Sequence, residues 1–300
     1  MSARPAIIEA RFDAVRNRAA EYLELTKPRV TAMVLVTTLA GYYLGAAGAF
    51  EPLVALNLLI GTALASGGTL ALNQYIERAT DAVMDRTRHR PIPDKRINPS
   101  DAMWFGVLTT LGGLGYLLLT VHWLSAAVTA AIAASYLFAY TPLKRTSWSC
   151  NIVGAIPGAL PPVAGWAAAR GSLGPEPWLM FAIMFLWQLP HSLSIAKLYR
   201  ADYRRARLWL IPLDRDDSYP ENPVIVVSSI ILMVVGALPT VLGYAGIAYL
   251  VTSLALGSAM LAAAIALVRG PETAAAARRV MFTSLFYLPL ILLVMVLDRL

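Results

Sequence analysis

Charge is scarce in this sequence. Only 14% of its 300 residues are Asp, Glu, Lys or Arg and 58% are hydrophobic, whereas a soluble globular domain carries about a quarter charged residues. That balance excludes a soluble fold and indicates a membrane protein. Cysteine is nearly absent: Cys150 stands alone, so no disulfide framework exists, and a lone thiol at a helix edge has an inert structural role. No polar stretch is long enough for a separate soluble domain. The longest are the N-terminal arm and two loops, 73–101 and 197–222. A single basic surface is missing too. The formal net charge is +7, but the basic residues are divided among short loops, so nothing points to nucleic acid.

The first 26 residues, "MSARPAIIEARFDAVRNRAAEYLELT", lack the apolar core of a signal peptide. They also contain Glu9, Asp13, Glu21 and Glu24, acids that a transit peptide avoids. The expectation is a prokaryotic plasma (inner) membrane protein in two parts. Residues 1–26 form a cytoplasmic amphipathic arm with Ile8, Phe12, Val15, Ala19 and Tyr22 to one side, lying on the membrane surface. Residues 27–300 form a single transmembrane domain.

Long apolar runs are abundant. Nine are long enough for a hydrocarbon core about 30 Å thick: 29–49, 52–72, 102–121, 123–140, 152–169, 178–196, 223–240, 244–268 and 280–297. The spacing predicts an all-α, polytopic bundle. Of the 25 Lys and Arg residues, all but Arg170 and Arg299 fall in one of the two alternating sets of loops. The positive-inside rule makes that set cytoplasmic, with the N-terminus inside, and a missed or invented span would scramble the asymmetry. The two long polar loops follow the second and sixth spans, as in chains built from two repeated halves. Gly41, Gly45, Gly67 and Gly68 suit close helix approach. Pro157, Pro161 and Pro162 in the fifth span, and Pro190 in the sixth, predict kinks.

The first long loop holds the densest chemistry: "NQYIERATDAVMDRTRHRP", residues 73–91. Asn73, Glu77, Asp81 and Asp85 recur every four residues, and on a helix each is turned about 40° from the last. Asn73, Glu77 and Asp81 therefore share one face where the second span meets the cytoplasm. Clustered carboxylates repel unless a cation joins them, and magnesium takes hard oxygen ligands while sharing its shell with phosphate. Arg86 and Arg90 suit phosphate oxygens, and Pro91 is expected to end the helix and turn the chain back over the site. Together these groups suit a diphosphate. The competing reading is a solvated helix with exposed ion pairs, which contribute little. The position of the stretch directly at a membrane span, in a chain with few acids, favours a site.

Asn73, Glu77 and Asp81 followed by "MDRTRHRP" resembles the first acidic motif of the UbiA superfamily of intramembrane prenyltransferases. Its haem-modifying branch reads N-x-x-x-D-x-x-x-D-x-x-M-x-R-T-x-x-R-P. "YLELTKPRV" at 22–30, "YTPLKRTSWSCNIVGAIPGALPPVAGWAA" at 140–168 and "LWQLPHSLSIAKLYRADY" at 186–203 resemble the same branch. The resemblance covers most of residues 22–212, and beyond that the last spans match only in length and polarity. Glu77 stands where that pattern has Asp. Quinone-type members carry a second aspartate-rich motif after the sixth span, where this chain has Gln188, Pro190, His191, Lys197 and Asp202. A histidine there suits a haem, as axial ligand to iron or as partner of a propionate.

The resemblance implies a UbiA-type bundle that transfers a farnesyl group from farnesyl diphosphate to a vinyl group of haem b, with water adding to give haem O. It implies Mg2+ held by Asn73, Glu77 and Asp81, with Asp202 contributing from the second loop. Arg86, Arg90, Lys144 and Lys197 are expected on the departing diphosphate, with Asp81 central to the chemistry. Gln188, His191, Tyr140 and Arg145 are expected to meet the substrates. Asp85 either joins the metal or pairs with Arg88 or His89. Further partners are membrane lipid, a second copy of the chain, or a haem A synthase. The rivals are a quinone or other tetrapyrrole prenyltransferase, and a non-catalytic carrier of haem or anionic lipid. A channel fits poorly, because the acids sit at one loop instead of ringing a pore.

Overall fold

The computed structural model describes residues 17–210, 221–269 and 273–300. Among them the chain is helical, and the one β-type pairing is an isolated bridge between Ala245 and Arg299. Residues 17–25 are helical, then α1 (Pro28–Ala46), α2 (Pro52–Asp81) and α3 (Pro99–Thr120) follow. α4 (Trp123–Leu143), α5 (Cys150–Arg170) and α6 (Glu176–Leu198) complete the first part. The rest is the short α7 (Arg200–Arg205), then α8 (Glu221–Val241), α9 (Ile247–Arg269) and α10 (Ala274–Leu297).

Eight of these helices are long and apolar enough to cross a membrane, and they coincide with the second to ninth expected spans. The span expected over 29–49 is the 19-residue α1. It packs along α5 in the same bundle but carries Arg29, Tyr42 and Tyr43, and is not one of the eight. Of the residues expected on the apolar side of the arm, Ile8, Phe12 and Val15 lie outside the described residues. Tyr22 packs against Phe105, ring centroids 5.1 Å apart.

Helices in lipid gain no hydrophobic drive from meeting one another, so close backbone contact must supply the attraction. The α1–α5 contact depends on this. A Cβ on Gly165 would come within 1.9 Å of the Thr38 carbonyl oxygen, so only glycine permits that spacing. α2 and α3 pack the same way around Gly113, whose Cβ would meet the backbone nitrogen of Ala65 at 2.4 Å.

Three irregularities shape the interior. α5 breaks at Leu160, before Pro161 and Pro162, where a ring in place of an N–H interrupts the ladder. α6 continues through Pro190. The last turns of α4 widen into a π-helix over Ser135–Tyr140, a form common at functional sites. One expectation is corrected: the helix carrying the acidic motif ends at Asp81, not at Pro91. Thr87 Oγ1 donates to the Asp81 carbonyl at 2.9 Å, taking the place of a continuing turn. Met84, Ile92 and Ile97 are buried, the last two against Leu25, Ala71 and Ala102. Burying that apolar surface folds the loop back over the end of α2.

Candidate active site

The end of α2 lines a cavity of about 580 Å³ together with α1, α4, α6 and α10. Asn73, Glu77 and Asp81 all face it, each at most 8% exposed, so the spacing of four places three oxygen donors on one buried face. The folded-back loop adds Arg86 and Arg90, the end of α4 adds Tyr140 and Lys144, and α6 adds Gln188 and His191.

Each acid meets a cation. Lys144 Nζ donates to Glu77 Oε1 at 2.7 Å, and Arg90 Nη1 donates to Asp81 Oδ2 at 2.6 Å. Asp81 Oδ1 is buried and has no hydrogen-bond partner, which is costly for a carboxylate oxygen unless a ligand or cation completes it. Lys27, just ahead of α1, donates from Nζ to Asn73 Oδ1 at 2.9 Å, and Asn73 Nδ2 donates to Thr141 Oγ1 at 3.1 Å. The lysine backbone lies in the left-handed region at φ 47°, a strained conformation for a residue with a Cβ. Burial and the nearby Arg90 guanidinium bring its pKa down to about 7. Burial opposes charge on Lys144 as well, yet the Tyr140 ring and the Glu77 carboxylate hold its pKa well above the ordinary value.

The residues expected from the second cluster divide. Gln188 Nε2 donates to the Gly154 carbonyl at 3.3 Å, and His191 Nδ1 lies 2.7 Å from Ser284 Oγ; both line the cavity. Tyr140 lines it too, with the Lys144 ammonium 4.3 Å above its ring. Asp202 accepts from the backbone N–H of Arg86 at 3.3 Å and pairs with Arg205. Asp202 therefore supports the folded loop from behind, and Tyr203 is its neighbour that reaches the cavity. Asp85 is exposed and pairs with Arg88 and Arg205. Lys197 is half-buried and is not among the residues lining the cavity. Arg145 is exposed and donates to the Ile76 carbonyl at 3.4 Å.

Several lining residues escape a reading of the sequence: Lys27, Tyr136, Trp187 and Tyr203. Lys27 lies in the segment 22–30 that resembles the superfamily, but nothing local reveals its contact with Asn73. Tyr203 accepts from Arg86 Nη2 at 3.2 Å, across 117 residues. A second chamber of about 270 Å³ adjoins the first, with Val30, Val34, Tyr136, Tyr140, Gly158 and Gln188 lining both. Its walls come from α1, α2, α4 and α5 and mix small apolar side chains such as Ala65, Ala133 and Ala164 with the hydroxyl residues Thr38, Thr62, Ser66, Thr69 and Thr129.

Among the described residues no three His, Cys, Asp or Glu converge as a ready metal cluster. The oxygens on offer are one amide and two carboxylates beside several cations, a set suited to an anion and a hard cation arriving together. A charged pocket opening onto greasy chambers can hold an amphiphile by its anionic head and shelter its hydrocarbon from water.

Residues 34–286 match the UbiA prenyltransferase family, and the chain belongs to it. Among its relatives is the protoheme IX farnesyltransferase of Solibacter usitatus (strain Ellin6076), 44% identical over 288 residues that cover 93% of this chain and 98% of the relative. That of Koribacter versatilis (strain Ellin345) is 40% identical over 288 residues, 93% of each chain. Among solved structures, a digeranylgeranylglyceryl phosphate synthase superimposes with a TM-score of 0.78 at 15% identity, covering 94% of this chain and 98% of the other. A UbiA homologue from Archaeoglobus fulgidus bound to GPP and Mg2+ superimposes with a TM-score of 0.62 at 14% identity, covering 92% and 99%. The structural likenesses establish a shared fold.

Proposed function

We propose that this chain transfers a farnesyl group from farnesyl diphosphate to a vinyl group of haem b, with diphosphate leaving and water adding to give haem O. The observation that carries the reading is the cavity at the end of α2. Its charged end holds Asn73, Glu77, Asp81, Arg90 and Lys144, and its apolar wall carries His191. The names of the relatives support the same reaction.

Asn73, Glu77 and Asp81 would hold Mg2+, and the unpartnered Asp81 Oδ1 fits that role. When bound, the ion supplies Lewis acidity to the diphosphate leaving group. Magnesium bound with a prenyl diphosphate in the Archaeoglobus homologue is consistent with this. Arg86, Arg90, Lys144 and Lys27 lie around the same space and stabilise the negative charge that grows on the leaving oxygens as the allylic C–O bond breaks. For that, Lys144 and Arg90 exchange their present carboxylate partners for diphosphate oxygens. The apolar chambers take the isoprenoid and the macrocycle and keep stray water from the allylic cation. Asp202 holds the loop bearing Arg86 through the Arg86 backbone N–H, so we assign it a supporting place at the rim of the metal site.

In this reading α1 is the first of nine spans and the N-terminus is cytoplasmic, supported by the placing of all basic residues but Arg170 and Arg299 on one side. The membrane is a prokaryotic inner membrane. Membrane lipid surrounds the bundle, and contact with a second copy or with a haem A synthase is part of the proposal. The test is incubation of the purified protein with haem b, farnesyl diphosphate and magnesium, with mass spectrometry of the porphyrin. A farnesylated, hydrated product is expected. Unchanged haem b that stays bound to the protein would instead identify a carrier.

A further inference from the structure

His191 on α6 and Ser284 on α10 meet across 93 residues of sequence, with Nδ1 of the histidine 2.7 Å from Oγ of the serine. Ser284 Oγ also donates to the carbonyl oxygen of Met281 at 2.6 Å. A serine hydroxyl has one hydrogen. With that hydrogen committed to the Met281 carbonyl, Oγ can only accept on its other side, so the proton between the two residues belongs to Nδ1. The reverse assignment would press two oxygen lone pairs together at 2.6 Å. His191 is therefore the tautomer with hydrogen on Nδ1 and a bare lone pair on Nε2.

The ring is also held on its face. Trp187, one turn earlier on α6, stacks on it with centroids 4.9 Å apart and planes 15° from parallel. The Trp187 indole N–H donates to the carbonyl oxygen of the same Ser284 at 2.7 Å. Ser284 is fully buried, so its hydroxyl serves this arrangement and not solvent. His191 lines the cavity, and no hydrogen bond from the described residues reaches its Nε2.

A nitrogen that offers a lone pair and no hydrogen cannot donate to a carboxylate, so it cannot bind a porphyrin propionate as a neutral imidazole. It can bind iron. Resting on the farnesyl-transfer reading above, we propose that Ser284 is a positioning residue that presents His191 Nε2 as an axial ligand to the iron of the haem b substrate. The bond is dative: the imidazole lone pair fills a vacant position on iron, and no proton or electron is transferred. Metal-binding histidines are held in this way, with the second ring nitrogen donating to a fixed acceptor that sets the tautomer. An axial bond from α6 would set the plane of the macrocycle, leaving contacts at its edge to set the rotation that brings a vinyl group to the farnesyl carbon.

The experiment titrates the full-length protein in detergent with ferric haem b and, separately, with metal-free protoporphyrin IX. Absorption and electron paramagnetic resonance report ligation. The wild type is expected to show a nitrogen-ligated haem, and His191→Gln to lose that signature while still binding the metal-free porphyrin. Ser284→Ala is expected to weaken haem binding by about 10–100-fold and leave the metal-free porphyrin unaffected, and Ser284→Thr to restore the wild-type spectrum. An unchanged spectrum in Ser284→Ala, or equal losses for haem and metal-free porphyrin, overturns the inference. Should Ser284→Ala fail to fold, His191→Gln still decides whether the iron bond exists. A wild type that farnesylates haem b yet lacks nitrogen ligation overturns this inference alone. One that neither binds nor converts haem removes the reading on which it rests.

Discussion

Lys144 Nζ lies 2.7 Å from Glu77 Oε1, with both side chains about 10% exposed. This contact joins α2 to the end of α4 and leaves each charge dependent on the other. Glu77→Gln strands an ammonium in a low-dielectric interior, and removing one partner of a buried pair costs about 3–5 kcal/mol. Adding Lys144→Met should recover much of that loss. Denaturant unfolding of the ligand-free protein measures it, and strictly additive losses would show that the two charges do not stabilise one another.

Asp81 offers one oxygen to Arg90 and keeps the other unpartnered. Asp81→Asn preserves the shape and removes the charge. Turnover should fall by about 10²–10³-fold, the size of loss seen when a group stabilising transition-state charge is removed. Haem affinity should not change. Turnover assays beside haem titration test this, and a matching fall in haem affinity would favour a carrier.

Divalent metal and diphosphate should depend on one another. In the ligand-free state Glu77 and Asp81 are already neutralised by Lys144 and Arg90, so chelation alone should leave the melting temperature unchanged while abolishing turnover. Magnesium with farnesyl diphosphate should raise the melting temperature, by about 2.7 kcal/mol of stabilisation at a hundredfold excess over Kd. Either one alone should do far less. An equal rise with metal alone would mean a preformed metal site and contradict the cation-paired geometry.

Gly165→Ala drives a methyl group into the Thr38 carbonyl, 1.9 Å away. The α1–α5 contact must then open, at a cost of about 1–3 kcal/mol or more by the usual penalty for overpacking. Gly112→Ala on α3, with no atom within 4 Å of the new Cβ, is the contrasting change. It should stabilise by up to about 1 kcal/mol through helix propensity. Thermal unfolding of the two variants in detergent compares them, and similar melting temperatures would contradict the packing argument.

Much of this site is legible in the sequence because one helix carries it. Asn73, Glu77 and Asp81 are four residues apart, and helical geometry alone sets them on one face. The same holds for the helical spans, since a bilayer demands long apolar runs with their backbone bonds satisfied internally. The stop at Asp81 was not legible. It depends on Ile92 and Ile97 burying against Leu25 and Ala102, contacts that outweigh the continuing helical pattern through Arg90. Lys197 and Arg145 show the opposite limit. The resemblance sets Lys197 on the diphosphate and Arg145 among the substrate contacts, and neither lines the cavity, because the direction of a side chain leaving a helix end depends on what packs beside it.

By itself the sequence determined the composition of the bundle, its apolar runs, the one-sided distribution of basic charge and the acidic stripe, because these follow from local spacing and the solvent each segment requires. Only the tertiary structure decided which cation meets which acid. It brought Lys27 to Asn73, Lys144 to Glu77 and Ser284 to His191 across 46, 67 and 93 residues. Such pairings arise from helices packing at glycines, π-turns and broken turns, and a chain's own periodicity carries no record of what a distant helix will place against it.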